Sequence, residues 1–255
     1  MMDIWKNLMV PFSSFFGFIV QIYVKISKRN IIIQDPSGFK FQLQPGDEIA
    51  FYYKRKSVTD ATNIIKFIRQ YVQKNWVCVD IGANKGAVSM PLWQMVGTKE
   101  GKVISIEPDP NNIGKIKTNF SLNNIPDWYI ENVALSNQEG ETELRIYPKC
   151  NGWQTMGNPS FAADYESYLV RVPTTRFDTL MNTLNIETIQ FVKIDTEGAE
   201  LLVLEGMRDY LHKKSIKCVI YEVNPLMLEG MKITVTQLMS FWNDLSYDLY
   251  ILSST

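Results

Sequence analysis

Five apolar runs of strand length, each carrying a polar side chain at or near its end, constrain this chain more than any other feature. The runs are residues 76–81, 102–106, 128–135, 188–194 and 216–223, and the polar groups are Asp80, Glu107, Asn132, Asp195 and Glu222. Continuous apolar character over so short a length is the mark of a strand buried on both faces, as in a parallel sheet. Between the runs lie segments with helical spacing. Residues 63–73 place Ile64, Ile65, Phe67, Ile68, Tyr71 and Val72 in phase, and residues 200–211 do the same with Leu201, Leu204, Met207 and Leu211. Asp109 and Pro110 open a third helix as N-cap and first-turn proline. Residues 87–96 form a further helix whose start Pro91 kinks or delays. A last helix over 235–245 and a strand over 247–252 complete the pattern. The expected fold is α/β, a mostly parallel sheet with helices on both faces.

Open sheets of this kind bind ligands beyond the carboxyl ends of their strands. There the first run leads into Asp80-Ile81-Gly82-Ala83-Asn84-Lys85-Gly86. Glycines four apart permit a tight turn and a close approach of backbone to ligand, but the spacing is not the GxGxxG of dinucleotide folds. The anion of Asp80 would repel a pyrophosphate and attract an ammonium group. Glu107, at the end of the next strand, is placed to accept hydrogen bonds from both hydroxyls of a ribose. A nucleoside joined to an amino acid, without phosphate, describes S-adenosylmethionine. An NAD-dependent dehydrogenase is the poorer rival.

Composition removes several other classes. Twenty-six basic against 27 acidic residues leave a net charge of −1, with no basic excess for nucleic acid. Cys78, Cys150 and Cys218 form no CxxC pair, so neither a zinc knuckle nor a redox pair is supported, and a reducing, cytoplasmic compartment fits them best. A single histidine, His212, reads as a surface group near a helix C-terminus and leaves no set of imidazole metal ligands.

Residues 1–59 read as an accessory segment and residues 60–255 as the catalytic domain. An apolar stretch at 8–24, followed by Lys25, Lys28 and Arg29, is marginal as a membrane span. It reads either as a helix packed on the domain or as a peripheral membrane contact. Ile31 to Ile33, a turn at 35–38, then Phe39, Phe41, Leu43 and, further on, Ile49, Phe51 and Tyr53 alternate as a small antiparallel β-ribbon covering one side of the domain. Between 140 and 175 the strand–helix alternation breaks. Residues 143–147 and 168–172 read as extra strands flanking a polar loop around Trp153, a candidate substrate lid.

The segments VDIGANKG (79–86), VISIEPDP (103–110), NVALSNQEG (132–140), VPTTRFDTL (172–180) and FVKIDTEGAELLVLEGM (191–207) resemble the FkbM family of S-adenosylmethionine-dependent methyltransferases. The resemblance implies a Rossmann-like class I methyltransferase fold and, in many members, O-methylation of sugars or secondary metabolites. It implies donor contacts at Asp80, Gly82, Asn84 and Gly86, with Ala83 in the same loop, ribose contacts at Glu107 and adenine-side contacts at Asn132. Lys85 and Pro91 depart from the small or aliphatic residues expected there.

An alcohol acceptor must lose its proton near the transition state. Asp195 and Glu197 follow the fourth strand at the ligand edge and are the candidate bases; Glu197 reads equally as an anion favouring the start of the next helix. Lys193 could serve as an ion-pair partner. Asp195, Glu222 and Asn224 offer three oxygen ligands suited to Mg²⁺, an arrangement compatible with the reaction but not favoured. The acceptor class is a small molecule or glycan. The alternative is a catalytically inactive, membrane-attached module that keeps only donor binding.

Overall fold

The computed structural model describes residues 30–34, 38–44, 59–97, 100–126, 129–150 and 152–252. The apolar stretch at 8–24, the ribbon turn at 35–37 and the alternating residues at 49–53 lie outside them. Among the described residues no helix is long and apolar enough to cross a membrane.

A short ribbon comes first, β1 (Ile31–Gln34) antiparallel to β2 (Lys40–Leu43), with Ile31 opposite Leu43. Helix α1 (Thr59–Tyr71) begins a few residues earlier than the apolar spacing marked. The central sheet consists of β3 (Val77–Ile81), β4 (Lys102–Ile106), β5 (Ile130–Glu131), β9 (Phe191–Ile194) and β10 (Val219–Tyr221). Their order is β10-β9-β3-β4-β5, and every pairing is parallel. Chain progress runs outward from β3 to β4 and β5 on one side and to β9 and β10 on the other. The switch in direction therefore falls between β3 and β9, where Asp80 stands opposite Lys193.

Both faces of this sheet are covered, which is why its strands read as unbroken apolar runs. On one face Val79, Ile81, Ile104, Ile106, Val192 and Ile194 meet Phe177, Val203, Leu204 and Trp242. On the other, Cys78, Val103 and Phe191 meet Ile68 of α1 together with Leu92 and Val96 of α2 (Ser89–Val96). Helix α3 (Pro110–Leu122) starts where expected, the Asp109 carboxylate accepting from the Asn111 amide. The ribbon joins this body directly. Ile33, Phe39, Phe41 and Leu43 share a cluster with Ala83, Met90, Ile116 and Phe120, and the amides of Lys40 and Gln42 donate to Asn123 and Asn119 of α3.

Four elements differ from the sequence reading. The run at 128–135 is not one strand. After β5 the chain turns at Asn132, whose amide side chain donates to the carbonyls of Glu107 and Pro108, and β6 (Ala134–Leu135) joins a second sheet. That sheet has the order β6-β8-β7 and holds the two extra strands foreseen, β7 (Gly140–Ile146) antiparallel to β8 (Tyr168–Thr175). After α4 (Phe177–Thr183), the helix expected over 200–211 is broken into α5 (Glu200–Gly206) and α6 (Arg208–His212). At the break Gly206 lies so close to β6 that a Cβ there would sit 2.2 Å from the Ser136 carbonyl oxygen. Following α7 (Pro225–Gly230), helix α8 (Val235–Ser240) stops short of 245, the chain continuing in turns whose amides reach back three residues, Trp242 to Met239, Asn243 to Ser240 and Leu245 to Trp242. Residues 247–252 form no strand. The Tyr247 hydroxyl donates to the carbonyl of Ile216 and its ring meets Trp242 edge-on, which ties this segment to the chain just before β10.

Candidate functional site

The turn after β3 is built by two close approaches. Gly82, at φ 73°, passes the end of β9 so tightly that a Cβ would stand 1.8 Å from the Asp195 carbonyl oxygen. Gly86, at φ 82°, lies against the Phe120 ring. Only glycine takes this backbone region without penalty. The intervening Asn84 also has positive φ, and its amide donates to Glu107 Oε2 at 2.8 Å.

Four amides of this turn are already committed. Gly82 and Ala83 donate to the Ile106 carbonyl, Asn84 to Glu107, and Gly86 to the Ala83 carbonyl. A pyrophosphate cradle needs free N–H groups at this position. The amides of Gly82, Ala83, Asn84 and Gly86 are spent within the fold, and the carboxylates of Asp80 and Glu107 stand beside the turn.

Glu107 grips the turn from the neighbouring strand. Its second oxygen accepts from the Asp109 amide at 2.9 Å and from Asn112 at 3.4 Å. Burial pushes its carboxyl up to about 7, against the pull of the two backbone donors. Three bonds leave lone-pair capacity on the carboxylate. Asn132 stands beside it, exposed, with its amide nitrogen bound to the backbone of 107 and 108.

Asp80 is set deeper than these. It is fully buried, Oδ2 accepts from Ser89 Oγ at 2.6 Å, and Ser89 in turn accepts from Ser105 at 2.8 Å. Oδ1 faces Lys193 Nζ at 3.4 Å. The carboxylate thus acts on the interior beneath the turn, where its sequence position alone suggested a group open to ligand. Lys193 spans the switch point: its ammonium lies 3.3 Å from Asp195 Oδ2 and donates to the carbonyls of Gly82 at 3.0 Å and Ile81 at 3.4 Å. Burial opposes the charge on Lys193, but Asp195 and Asp80 outweigh it and hold the ammonium above the ordinary lysine range.

Beyond β9 and β10 stand Asp195, Glu197 and Glu222, each with an oxygen within 4.8 Å of the others. Burial, then the charges of Asp195 and Glu222, push the Glu197 carboxyl up to about 9. Burial, then Asp195, raise Glu222 to about 8. Two carboxyls so close titrate as a unit. Glu197 sits in a left-handed conformation, φ 53°, within the turn between strand and helix. It does not begin α5. That task belongs to Glu200, which is buried and whose Oε1 accepts from the Thr196 amide, the Thr196 hydroxyl and the Gly198 amide. Glu200 is legible in the sequence as an acid at the first position of a helix; of the two readings open for Glu197, the helix-start role falls to Glu200.

Glu197 joins Asp195 and Glu222 as a group that could hold a cation, while the Asn224 Oδ1 accepts from the amides of Leu226 and Met227 as the cap of α7. His212 is exposed in the last turn of α6, away from this chemistry.

The chain is similar to known proteins. Residues 80–249 match the model of the methyltransferase FkbM domain. A protein of Beauveria bassiana, Methyltransferase 1, is 25% identical over 146 residues, covering 51% of this chain and 58% of that protein. The chain thus spans little more than half of that relative's length. The hexuronic acid methyltransferase AglP of Haloferax volcanii is 23% identical over 199 residues, 77% of this chain and 75% of its own. Among solved structures, the FkbM methyltransferase of Methylobacillus flagellatus superposes with a TM-score of 0.34 at 17% identity, over 58% of this chain and 37% of that one.

Proposed function

The chain belongs to the FkbM methyltransferase family, and from that premise we propose that it moves a methyl group from S-adenosylmethionine to a hydroxyl oxygen of a sugar or secondary-metabolite acceptor. The observation that carries this reading is the turn at 82–86. With the amides of Gly82, Ala83, Asn84 and Gly86 spent on Ile106, Glu107 and Ala83, and with the Asp80 and Glu107 carboxylates beside it, it suits a cationic nucleoside better than a dinucleotide phosphate. The acceptor class draws on AglP, whose name gives a hexuronic acid as its substrate.

S-adenosylmethionine supplies an activated methyl on a sulfonium. The remaining work falls to the chain. Gly82, Ala83, Asn84 and Gly86 provide the narrow turn against which the donor lies. Glu107 accepts from the ribose hydroxyls with its unused lone pairs, and Asn132 borders the adenine. Asp80 fixes the turn from below through Ser89 and Lys193. In-line positioning of the acceptor accounts for much of the rate. The acceptor proton passes to the Asp195–Glu197 pair, in which burial and then the charges of Asp195 and Glu222 raise the proton affinity of Glu197.

Mg²⁺ is not required by this scheme. Asp195, one of the two carboxylates common to both cation trios, already lies 3.3 Å from the Lys193 ammonium, an internal counter-charge for the corner. Activity should survive EDTA treatment and dialysis; its loss, restored by Mg²⁺, would transfer the role to a metal.

The direct assay is transfer of radiolabelled methyl to extract fractions separated into glycans, lipids, proteins and small metabolites. Label in the glycan or small-metabolite fraction, stable to base as an ether and not an ester, supports the reading. Label in protein alone would refute it. Asp195→Asn should lower turnover at least about tenfold while donor affinity changes little; a fully active variant would remove Asp195 as base.

A further inference from the structure

The loop between β7 and β8 carries an aromatic cluster that no step above uses. Trp153 lies at its centre, with ring centroids of Phe161 at 5.2 Å, Tyr165 at 5.4 Å and Tyr147 at 6.1 Å. Tyr147 is buried and anchors the group, Trp153 is half-buried, and Phe161 and Tyr165 are exposed by 36% and 48%. Three adjoining rings open to water on one loop call for an occupant.

Hydrogen bonds tie this loop to the acidic corner. Thr155, fully buried two residues beyond Trp153, donates from Oγ1 to the Glu197 carbonyl at 2.7 Å and accepts from the Gly157 amide at 3.0 Å. The Asn158 amide donates to the Gly230 carbonyl, and the Ser160 amide to Glu229 of α7. The loop is therefore fastened beyond β9 and β10, on the other side of the switch point from Glu107 and Asn132. Its rings belong to the acceptor side, not the nucleoside side.

An aromatic face beside carboxylates matches a sugar ring, whose axial C–H bonds lie flat on the ring while its hydroxyls donate to the carboxylates. A membrane surface matches it poorly, because Asp164 and Glu166 stand exposed on the same loop, the latter paired with Lys149. We propose that Trp153, with Phe161 and Tyr165, is a stacking platform that receives a pyranose ring of the acceptor and holds its hydroxyls toward the turn of Glu197. The inference rests on the hydroxyl-directed reading above and adds the residues that select the acceptor.

Saturation-transfer NMR on the full chain tests it, with methyl β-D-glucopyranoside, methyl α-D-mannopyranoside and D-glucuronate as probes and no methyl donor present. The expected result is transfer to the ring C–H protons of at least one probe. It should be retained in Trp153→Phe and reduced about fivefold or more in Trp153→Ala. Should Trp153→Ala fail to fold, the double variant of the exposed rings, Phe161→Ser with Tyr165→Ser, serves for the same comparison. Absence of transfer to every probe in the unaltered protein would overturn the proposal, as would undiminished transfer in the variants. Cosedimentation with phosphatidylcholine–phosphatidylglycerol vesicles that depends on Trp153, without sugar binding, would overturn it in favour of a lipid surface. Since no donor takes part, failure here is distinguishable from failure of methyl transfer.

Discussion

Lys193 shows how far a residue's role depends on what lies across the sheet from it. In the sequence it is one cation inside an apolar strand; in the fold it faces Asp80 and Asp195 and caps two carbonyls of the glycine turn. Removing one member of a buried ion pair leaves the other uncompensated, at a cost of about 3–5 kcal/mol. Lys193→Met should lower unfolding free energy in urea by that order, and a change under 1 kcal/mol would show that Asp80 is satisfied by Ser89 alone. The strand-end carboxylates were legible because their chemistry and position are both written in one dimension. The depth of Asp80 was not, since burial depends on α2 delivering Ser89. Nor was Thr155, whose partner is 42 residues away.

At the scale of elements, the long strands and their helices were legible wherever one periodicity ran unbroken. Errors fell where a single close approach overruled the local pattern. Asn132 follows β5 and bonds to the carbonyls of Glu107 and Pro108, and Tyr247 bonds the last segment to Ile216. The helical phase at 200–211 was correctly seen, yet the axis breaks at Gly206 because Ser136 occupies the space beside it. Gly206→Ala raises helix propensity, which taken alone would stabilise by up to about 1 kcal/mol. The contact with the Ser136 backbone should win and reduce stability by about 1–3 kcal/mol. A variant with an unchanged or higher Tm would contradict the packing described between α5 and β6.

Across the whole molecule the anionic rim has a cost that pH should reveal. Glu107, Glu222 and Glu197 are raised from 4.5 to about 7, 8 and 9, chiefly by burial. Between about pH 4.5 and pH 9 the folded chain therefore holds protons that the unfolded chain has released, and stability falls as pH rises through that window. Thermal melts of the free protein should show Tm highest near the acid end and declining toward pH 9. A Tm that climbs from pH 6 to pH 9 would contradict the crowding of these carboxylates. A bound cation on the rim would relieve it, so the donor should protect more at pH 8 than at pH 6. That expectation leads to calorimetric titration of S-adenosylmethionine and, separately, NAD into the full chain and into Glu107→Gln. The predicted result is saturable binding of the sulfonium nucleoside, weakened about tenfold or more in the variant for the loss of charge-assisted hydrogen bonds, with no heat from NAD. Binding of NAD without binding of S-adenosylmethionine would contradict the account at its centre.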